Sequence, residues 1–178
     1  MELAARTARI SVSPTMKVAA DAMKLKAQGV DIVDFGAGEP DFPTPPHVSA
    51  AAHKAIDANF TKYTTNSGTE DLKRAIVERH RLDNGVEYTT AEVIVSAGGK
   101  QALYNSILAL FGPGDEVITH MPGWPTLVEQ IKLAEATPVI VRTHAEDGFK
   151  VTADLFLKAV TPRTKGIIST RLAIRPAR

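Results

Sequence analysis

A regular alternation of short apolar runs and helical patterns, from Glu92 onward, is the feature that most constrains this chain. Runs rich in β-branched residues predict four strands, at about residues 93–96, 115–119, 138–142 and 166–169. Helical patterns lie between and before these strands, at about residues 101–111, 126–135 and 152–160. Apolar strands that alternate with helices indicate βαβ units, in which helices cover both faces of a parallel sheet. The sequence therefore predicts an α/β fold.

The first half of the chain has a different pattern. It predicts helices at about residues 16–28, 47–59 and 69–82. In the third of these helices, the spacing places Leu72, Ile76 and Val77 inward and Lys73 outward. Residues 1–45 do not share the strand–helix alternation, so they are expected to form a separate substructure.

Composition argues against several classes of function. The net charge of +1 provides no field that would attract nucleic acid or an acidic membrane. There is no cysteine, and the five histidines are scattered without the i,i+4 spacing of a helical metal site, so no metal is expected. No apolar run has the length of a membrane span, and the first ten residues are unlike a secretory signal. A cytoplasmic location is the expectation.

The strongest local signal for chemistry is "VIVSAGGKQALYNSI", a predicted strand followed by two glycines and a helix. The first turn of a helix has free backbone N–H groups and partial positive charge, so it binds anions. Gly98 and Gly99 would let an anion approach the backbone closely, and Lys100 adds a positive charge. A turn of this kind also occurs for tight packing alone. The segment matches neither a Walker loop nor a dinucleotide-binding fingerprint.

Two further loops are candidates for ligand binding. Trp124, the only tryptophan, follows the second predicted strand and could stack on a planar cofactor, although a tryptophan of the core is the simpler interpretation. The loop "FGAGEPDFPTPP" could present backbone N–H groups to a carboxylate, and its Glu39 and Asp41 could take part in chemistry; the alternative is a rigid crossover. Because the Gly-Gly-Lys and Trp124 loops each follow a predicted strand, we expect both to open on one edge of the same sheet.

Six sequence motifs occur in a fixed order along the chain. They are "GAGEPDFPTP", "TKYTTNSGTEDLKRAI", "VSAGGKQALYN", "FGPGDEVI", "PGWPTL" and "TPRTKGII". With these motifs the chain resembles the class I pyridoxal-phosphate-dependent aminotransferases of the aspartate aminotransferase superfamily (fold type I), over nearly all of residues 1–170. The bacterial aspartate aminotransferase type is the most similar. The resemblance implies an N-terminal fragment: a small-domain segment at residues 1–45, then a truncated three-layer, mostly parallel sheet of the large domain at residues 46–170.

The resemblance also implies roles for individual residues. The backbone of Gly98, Gly99 and Lys100 would cradle the phosphate of pyridoxal 5′-phosphate, in agreement with the helix-terminus argument. Trp124 would stack on the pyridine ring and border the substrate. The other predicted roles fall to Gly38, whose N–H would bind the substrate α-carboxylate, and to Tyr63, which would reach the phosphate of the neighbouring subunit in a homodimer.

The activity implied is transamination between an L-amino acid, with aspartate favoured, and a 2-oxo acid. Such enzymes use a Schiff-base lysine, an aspartate at the pyridine nitrogen and a substrate-binding arginine, all after a P-x-N-P-T-G motif that these 178 residues do not contain. Lys100 belongs to the phosphate end of the site, so no catalytic residue is assigned and the chain itself is expected to be inactive. The alternatives are a non-catalytic cofactor- or partner-binding remnant and an unrelated α/β anion-binding protein; the ordered motifs disfavour the latter.

The final residues, "RLAIRPAR", differ in composition from the rest and are interpreted as an aberrant tail at residues 171–178. A basic nucleic-acid arm has no other support in the chain. Read in a shifted frame from the third base of the Thr170 codon, the tail permits Pro-x-x-Asn-Pro-Thr-Gly-Ala. We therefore expect that the net loss of one base near codon 170 produced it. Coding DNA without that reading frame would contradict this hypothesis.

Overall fold

The computed structural model describes residues 2–11, 13–33 and 40–170. The chain divides into two compact units, Met1–Pro14 with Gly98–Arg178, and Thr15–Ala97. Gly38, Glu39 and the tail 171–178 lie outside the described residues, so the interpretations given to them stay predictions. The domain boundary expected at residue 45 also stays a prediction.

The six helices of the described residues lie where the sequence patterns predict them. They are α1 (Pro14–Ala27), α2 (Pro46–Asp57), α3 (Glu70–Asn84), α4 (Gly99–Leu110), α5 (Pro125–Leu133) and α6 (Ala153–Leu157), with short 3-10 helices at Ala5–Arg9 and Thr90–Glu92. Local chemistry fixes several of their ends. The Thr69 hydroxyl accepts a hydrogen bond from the Leu72 N–H to cap α3, which ends at Gly85 in the left-handed conformation (φ 65°).

A three-stranded parallel sheet forms the centre of the first unit. Its strands are β1 (Glu116–Met121), β2 (Thr137–Arg142) and β3 (Thr164–Ile167), in the order β2-β1-β3. The middle strand β1 is buried at its first five residues, which explains why Val117 and Ile118 are apolar on consecutive positions that point to opposite faces. This arrangement confirms the α/β class and three of the four predicted strands.

The predicted strand at 93–96 is not among the strands of the described residues, and this prediction was wrong. Val93 has an extended backbone (φ −114°, ψ 127°), as its β-branched side chain favours. The Val95 N–H, however, donates to the Ser67 carbonyl (2.9 Å), which belongs to a loop of the second unit. A Cβ on Gly68, which has φ +101°, would lie 2.6 Å from Val95 Cγ2, so the loop packs closely on this segment. An extended backbone at 93–96 is therefore not enough to form a strand, which also needs a neighbouring strand to pair with.

The predicted faces of α3 also need a correction. Lys73, expected outward, is 6% exposed, whereas Leu72, expected inward, is 46% exposed. The Lys73 ammonium forms an ion pair with Glu70 (2.5 Å) and donates to the Ser67 hydroxyl (3.4 Å), which satisfies its charge in a buried position. The two acceptors near the Lys73 ammonium therefore allow this charged side chain to be buried.

A small apolar core joins the helices of the first unit to its sheet. Its buried members come from α4, β1, α5 and the turn after α5, namely Ile107, Val117, Ile131, Ala134 and Ala136. Phe111, at the end of α4, packs against this core and lies over β3, where a Cβ on Gly166 would come within 2.6 Å of the Phe111 ring. A larger residue at position 166 would require the Phe111 ring to shift.

Glu116, at the start of β1, is 6% exposed and forms an ion pair with Arg163, whose side chain is largely exposed. Its carboxylate accepts hydrogen bonds from the Thr161 hydroxyl and from the Arg163 guanidinium, whose Nε lies 2.8 Å away. These bonds, Thr161 first and then Arg163, hold the pKa of Glu116 below its ordinary value of 4.5. The same bonds tie β1 to the segment that leads into β3.

The lowered pKa predicts a loss of stability in acid. The stabilisation is fully present above the unfolded-state pKa of 4.5 and is lost as pH falls through the lower folded-state pKa. We expect the free energy of unfolding of Glu116→Gln to fall less steeply below about pH 4.5 than that of the wild type. Urea unfolding at a series of pH values, followed by Trp124 fluorescence, measures the slope. Glu87→Gln, at an exposed position, is the control and should keep the wild-type slope; equal slopes for all three proteins would contradict the prediction.

Candidate functional site

The turn that begins α4 has the geometry of an anion-binding site. Gly98 is the N-cap, with φ 86° and ψ 161°, and Gly99 and Lys100 start the helix. The N–H groups of the first turn carry the partial positive charge of the helix; that of Gln101 donates to the Gly98 carbonyl oxygen (3.1 Å), and those of Gly99 and Lys100 precede it. A Cβ built on Gly98 or Gly99 would have no atom within 4 Å, so the backbone faces open space there. The turn can therefore admit a group as large as a phosphate against its backbone.

Trp124 lies at the end of a tight turn that follows β1. The Met121–Pro122 peptide bond is cis, and Trp124 is the N-cap of α5, with Pro125 in its first turn. A Cβ on Gly123 would lie 2.3 Å from the His120 carbonyl oxygen, so the turn requires glycine at that position. The indole is half-buried and keeps part of its surface accessible to a planar ligand.

The two parts of the site meet at Lys100. Its ammonium lies 5.7 Å from the centroid of the Trp124 ring, within range of a cation–π interaction. Its backbone carbonyl accepts a hydrogen bond (3.0 Å) from the Gln130 side-chain amide of α5. The expectation that these loops converge is confirmed by these contacts. The predicted reason was wrong, because packing of α4 against α5, rather than two strands of one sheet, brings them together.

Of the other predicted site residues, the structure describes Tyr63 and Asp41, both in the second unit. Tyr63 belongs to the second unit, where it is fully exposed. Asp41, the described acid of the glycine-rich loop, is also exposed. Gly38 lies outside the described residues. The structure thus brings together Gly98, Gly99, Lys100 and Trp124.

Two residues of this site were missed by the sequence reasoning. Gln130 is 8% exposed and occupies the same helical face as Leu127 and Ile131; this i, i+3, i+4 spacing of one polar residue with two apolar ones was the available signal. His120 is 5% exposed and supports the Trp124 turn. Its ring nitrogens lie 3.1 Å from the Pro122 carbonyl oxygen and 3.0 Å from that of Thr170. No sequence pattern distinguishes a buried histidine that supports a turn from any other histidine at the end of a strand.

Glu129, the neighbour of Gln130, is an acidic group on the same helix. Burial opposes its ionisation, but hydrogen bonds from the Lys132 ammonium (2.9 Å) and the Ser11 backbone N–H (2.7 Å) lower its pKa overall. Glu129 therefore stays ionised, and its bond from Ser11 ties the N-terminal segment to α5.

Among the described residues, no group of three or more histidine, aspartate or glutamate side chains is arranged to hold a metal ion. Within the same part of the chain, no helix is long and apolar enough to cross a membrane.

Comparison with known proteins gives a consistent result. The family model for aminotransferase class I and II matches residues 30–172. The aspartate/prephenate aminotransferase of Nitrosomonas europaea is 46% identical over 165 residues, which are 93% of this chain and 42% of that protein. The chain therefore spans about two-fifths of the length of this relative.

Solved structures agree with the sequence match. The aspartate aminotransferase of Rhizobium meliloti superposes with a TM-score of 0.89 at 41% identity, over 94% of this chain and 42% of that structure. The aspartate aminotransferase of Thermus thermophilus, solved with maleate, also has a TM-score of 0.89, at 42% identity over 94% of this chain and 44% of that structure. The fold described above is thus shared with the corresponding part of these proteins.

Proposed function

This chain belongs to the class I and II aminotransferases, a family that depends on pyridoxal 5′-phosphate, and on that premise we propose that Gly98, Gly99, Lys100 and Trp124 hold this cofactor. The proposal rests mainly on one observation. The open N-terminus of α4 and the half-buried indole meet at Lys100, whose ammonium lies 5.7 Å from the centroid of the Trp124 ring. An anion site beside an aromatic face suits a ligand that combines a phosphate with a planar ring.

The residues present fit such a group. The phosphate would receive hydrogen bonds from the backbone N–H groups of Gly99 and Lys100, and the Lys100 ammonium would neutralise part of its charge. The Trp124 indole would lie against one face of the ring and exclude water from it. When bound, the cofactor supplies an electron sink for the substrate α-carbon. The residues of this chain bind and orient it.

The whole protein, in this proposal, transfers an amino group between an L-amino acid and a 2-oxo acid, most closely in the manner of an aspartate aminotransferase. Relatives named aspartate aminotransferase or aspartate/prephenate aminotransferase support this substrate class. The proposal includes Gly38 as a backbone donor to the substrate carboxylate. It also includes a cytoplasmic homodimer, in which the fully exposed Tyr63 reaches the phosphate of the neighbouring subunit.

We expect the 178-residue chain to bind pyridoxamine 5′-phosphate reversibly. This ligand forms no adduct with lysines, and its absorption overlaps tryptophan emission, so binding should quench the fluorescence of Trp124, the only tryptophan. Lys100→Met should weaken affinity about tenfold, because it removes one charge-assisted contact to phosphate. Lys150→Met, a change of the same chemistry at an exposed lysine, should not.

The same preparation is expected to show no transamination between L-aspartate and 2-oxoglutarate when pyridoxal 5′-phosphate is added. The reason is that the 178 residues contain no P-x-N-P-T-G motif and no lysine assigned to the cofactor carbonyl. Quenching that does not saturate, or that is the same in Lys100→Met, would contradict the binding site. Measurable turnover would contradict the expected inactivity.

A further inference from the structure

Gln130 has an unusual environment for a polar residue. It lies on the buried face of α5 between Leu127 and Ile131, and it is 8% exposed. Its Nε2 donates to the Lys100 carbonyl oxygen over 3.0 Å. Its Oε1 is buried, and within residues 2–11, 13–33 and 40–170 it has no hydrogen-bond partner. One half of the amide is therefore satisfied and the other half is not.

This arrangement contributes little to the stability of the fold. A typical intramolecular hydrogen bond is only modestly favourable, because it replaces a bond to water. A buried acceptor without a partner is unfavourable by a similar or larger amount. An apolar side chain of the same length would remove both contributions together. Stability alone thus does not account for glutamine at position 130.

The hydrogen bond has a specific geometric effect on Lys100. Helix α5 begins directly after Trp124, and Gln130 is fixed to that helix. Its bond holds the Lys100 backbone, while the Lys100 ammonium lies over the Trp124 ring. The Lys100 backbone is therefore tied to the helix that begins at the indole, so this bond sets the separation between the anion-binding turn and the Trp124 ring.

We propose that Gln130 is a positioning residue that sets the distance between the anion-binding turn of α4 and the Trp124 ring, and so selects ligands whose phosphate and planar ring are joined at one length. The proposal rests on the proposed function, because it concerns the same site. It predicts that Gln130 matters for a ligand that contacts both parts and matters little for a ligand that contacts only one.

The experiment compares three probes on the 178-residue chain. Pyridoxamine 5′-phosphate contacts both parts, pyridoxamine contacts only the ring platform, and inorganic phosphate contacts only the turn. Trp124 quenching reports the first two, and phosphorus NMR line broadening reports the third. We expect Gln130→Met to lower affinity for pyridoxamine 5′-phosphate about tenfold and to change affinity for each single-contact probe less than about twofold. Its melting temperature should be equal to that of the wild type or higher.

Controls separate positioning from a structural role. Gln28→Met makes the same change at an exposed position and should alter none of the three affinities. Gln130→Leu, which also removes the donor to the Lys100 carbonyl and adds no charge, should reproduce the selective loss. Equal losses for all three probes, or a lowered melting temperature with proportional losses, would overturn the proposal while leaving the proposed function intact. A wild-type chain that binds none of the probes would overturn the proposed function, and the role of Gln130 with it.

Discussion

Gly98→Ala is expected to reduce affinity for pyridoxamine 5′-phosphate by about 30-fold, the largest effect of any single substitution at the site. Gly98 has φ 86° and ψ 161°, a region that only glycine adopts without strain. A Cβ there would either extend into the open space that the phosphate needs or force the turn to a different conformation. Either response displaces the N–H groups at the start of α4, and each lost bond to a charged group weakens binding about tenfold or more.

Gly114→Ala is a matched control for this substitution. Gly114 has φ +92°, and a Cβ there also has no atom within 4 Å, so the backbone strain is of the same kind. It lies in the turn that leads into β1, away from Lys100 and Trp124. Each substitution should lower stability by about 1–3 kcal/mol, and only Gly98→Ala should lower affinity strongly. Titration by Trp124 fluorescence, with urea unfolding of both variants, separates the two effects. Equal affinities for the two variants would exclude the turn as the phosphate site.

Ile131→Ala is expected to reduce the free energy of unfolding of the first unit by about 2–5 kcal/mol. Ile131 is fully buried and contacts the small core that joins α4, α5 and β1. Because few other side chains share this core, the cavity left by the substitution cannot be filled easily by its neighbours. A loss of this size is a large fraction of the stability of a typical domain, so the variant should populate unfolded forms.

Ile94→Ala makes the identical chemical change at a side chain that is 75% exposed, and its effect should be within about 0.5 kcal/mol. Urea unfolding of both variants, followed by Trp124 fluorescence and far-ultraviolet circular dichroism, gives the comparison. If the two substitutions had similar effects, the core described for the first unit would not be its main source of stability.

The fold class and the helices could be predicted because they depend on periodicity, which is a local property of the sequence. The apolar run of β1 is buried on both faces, and that of β2 is partly buried, as continuous apolar runs in parallel strands predict. The segment 93–96 has the same local character but not the same structure, because a strand also requires a partner whose backbone is in reach. No local pattern carries that information.

The candidate site could be predicted in part for the same reason. Gly98, Gly99 and Lys100 form a contiguous motif whose chemistry follows from a helix terminus, and Trp124 stands out as the single indole. Gln130 acts through a contact with a residue thirty positions away, which no motif reveals. Lys73 is likewise buried through partners that become neighbours only when α3 forms.

The strand order β2-β1-β3 has a consequence for how the first unit folds. The crossover from β1 to β2 consists essentially of α5, whereas the connection from β1 to β3 also spans β2 and α6. Loop-closure entropy grows with the length of the connection, so β1, α5 and β2 should associate first and β3 should dock last. The Glu116–Arg163 pair closes only at that final step. This ion pair should therefore slow unfolding rather than accelerate folding, so it should determine how long the folded state lasts before it unfolds.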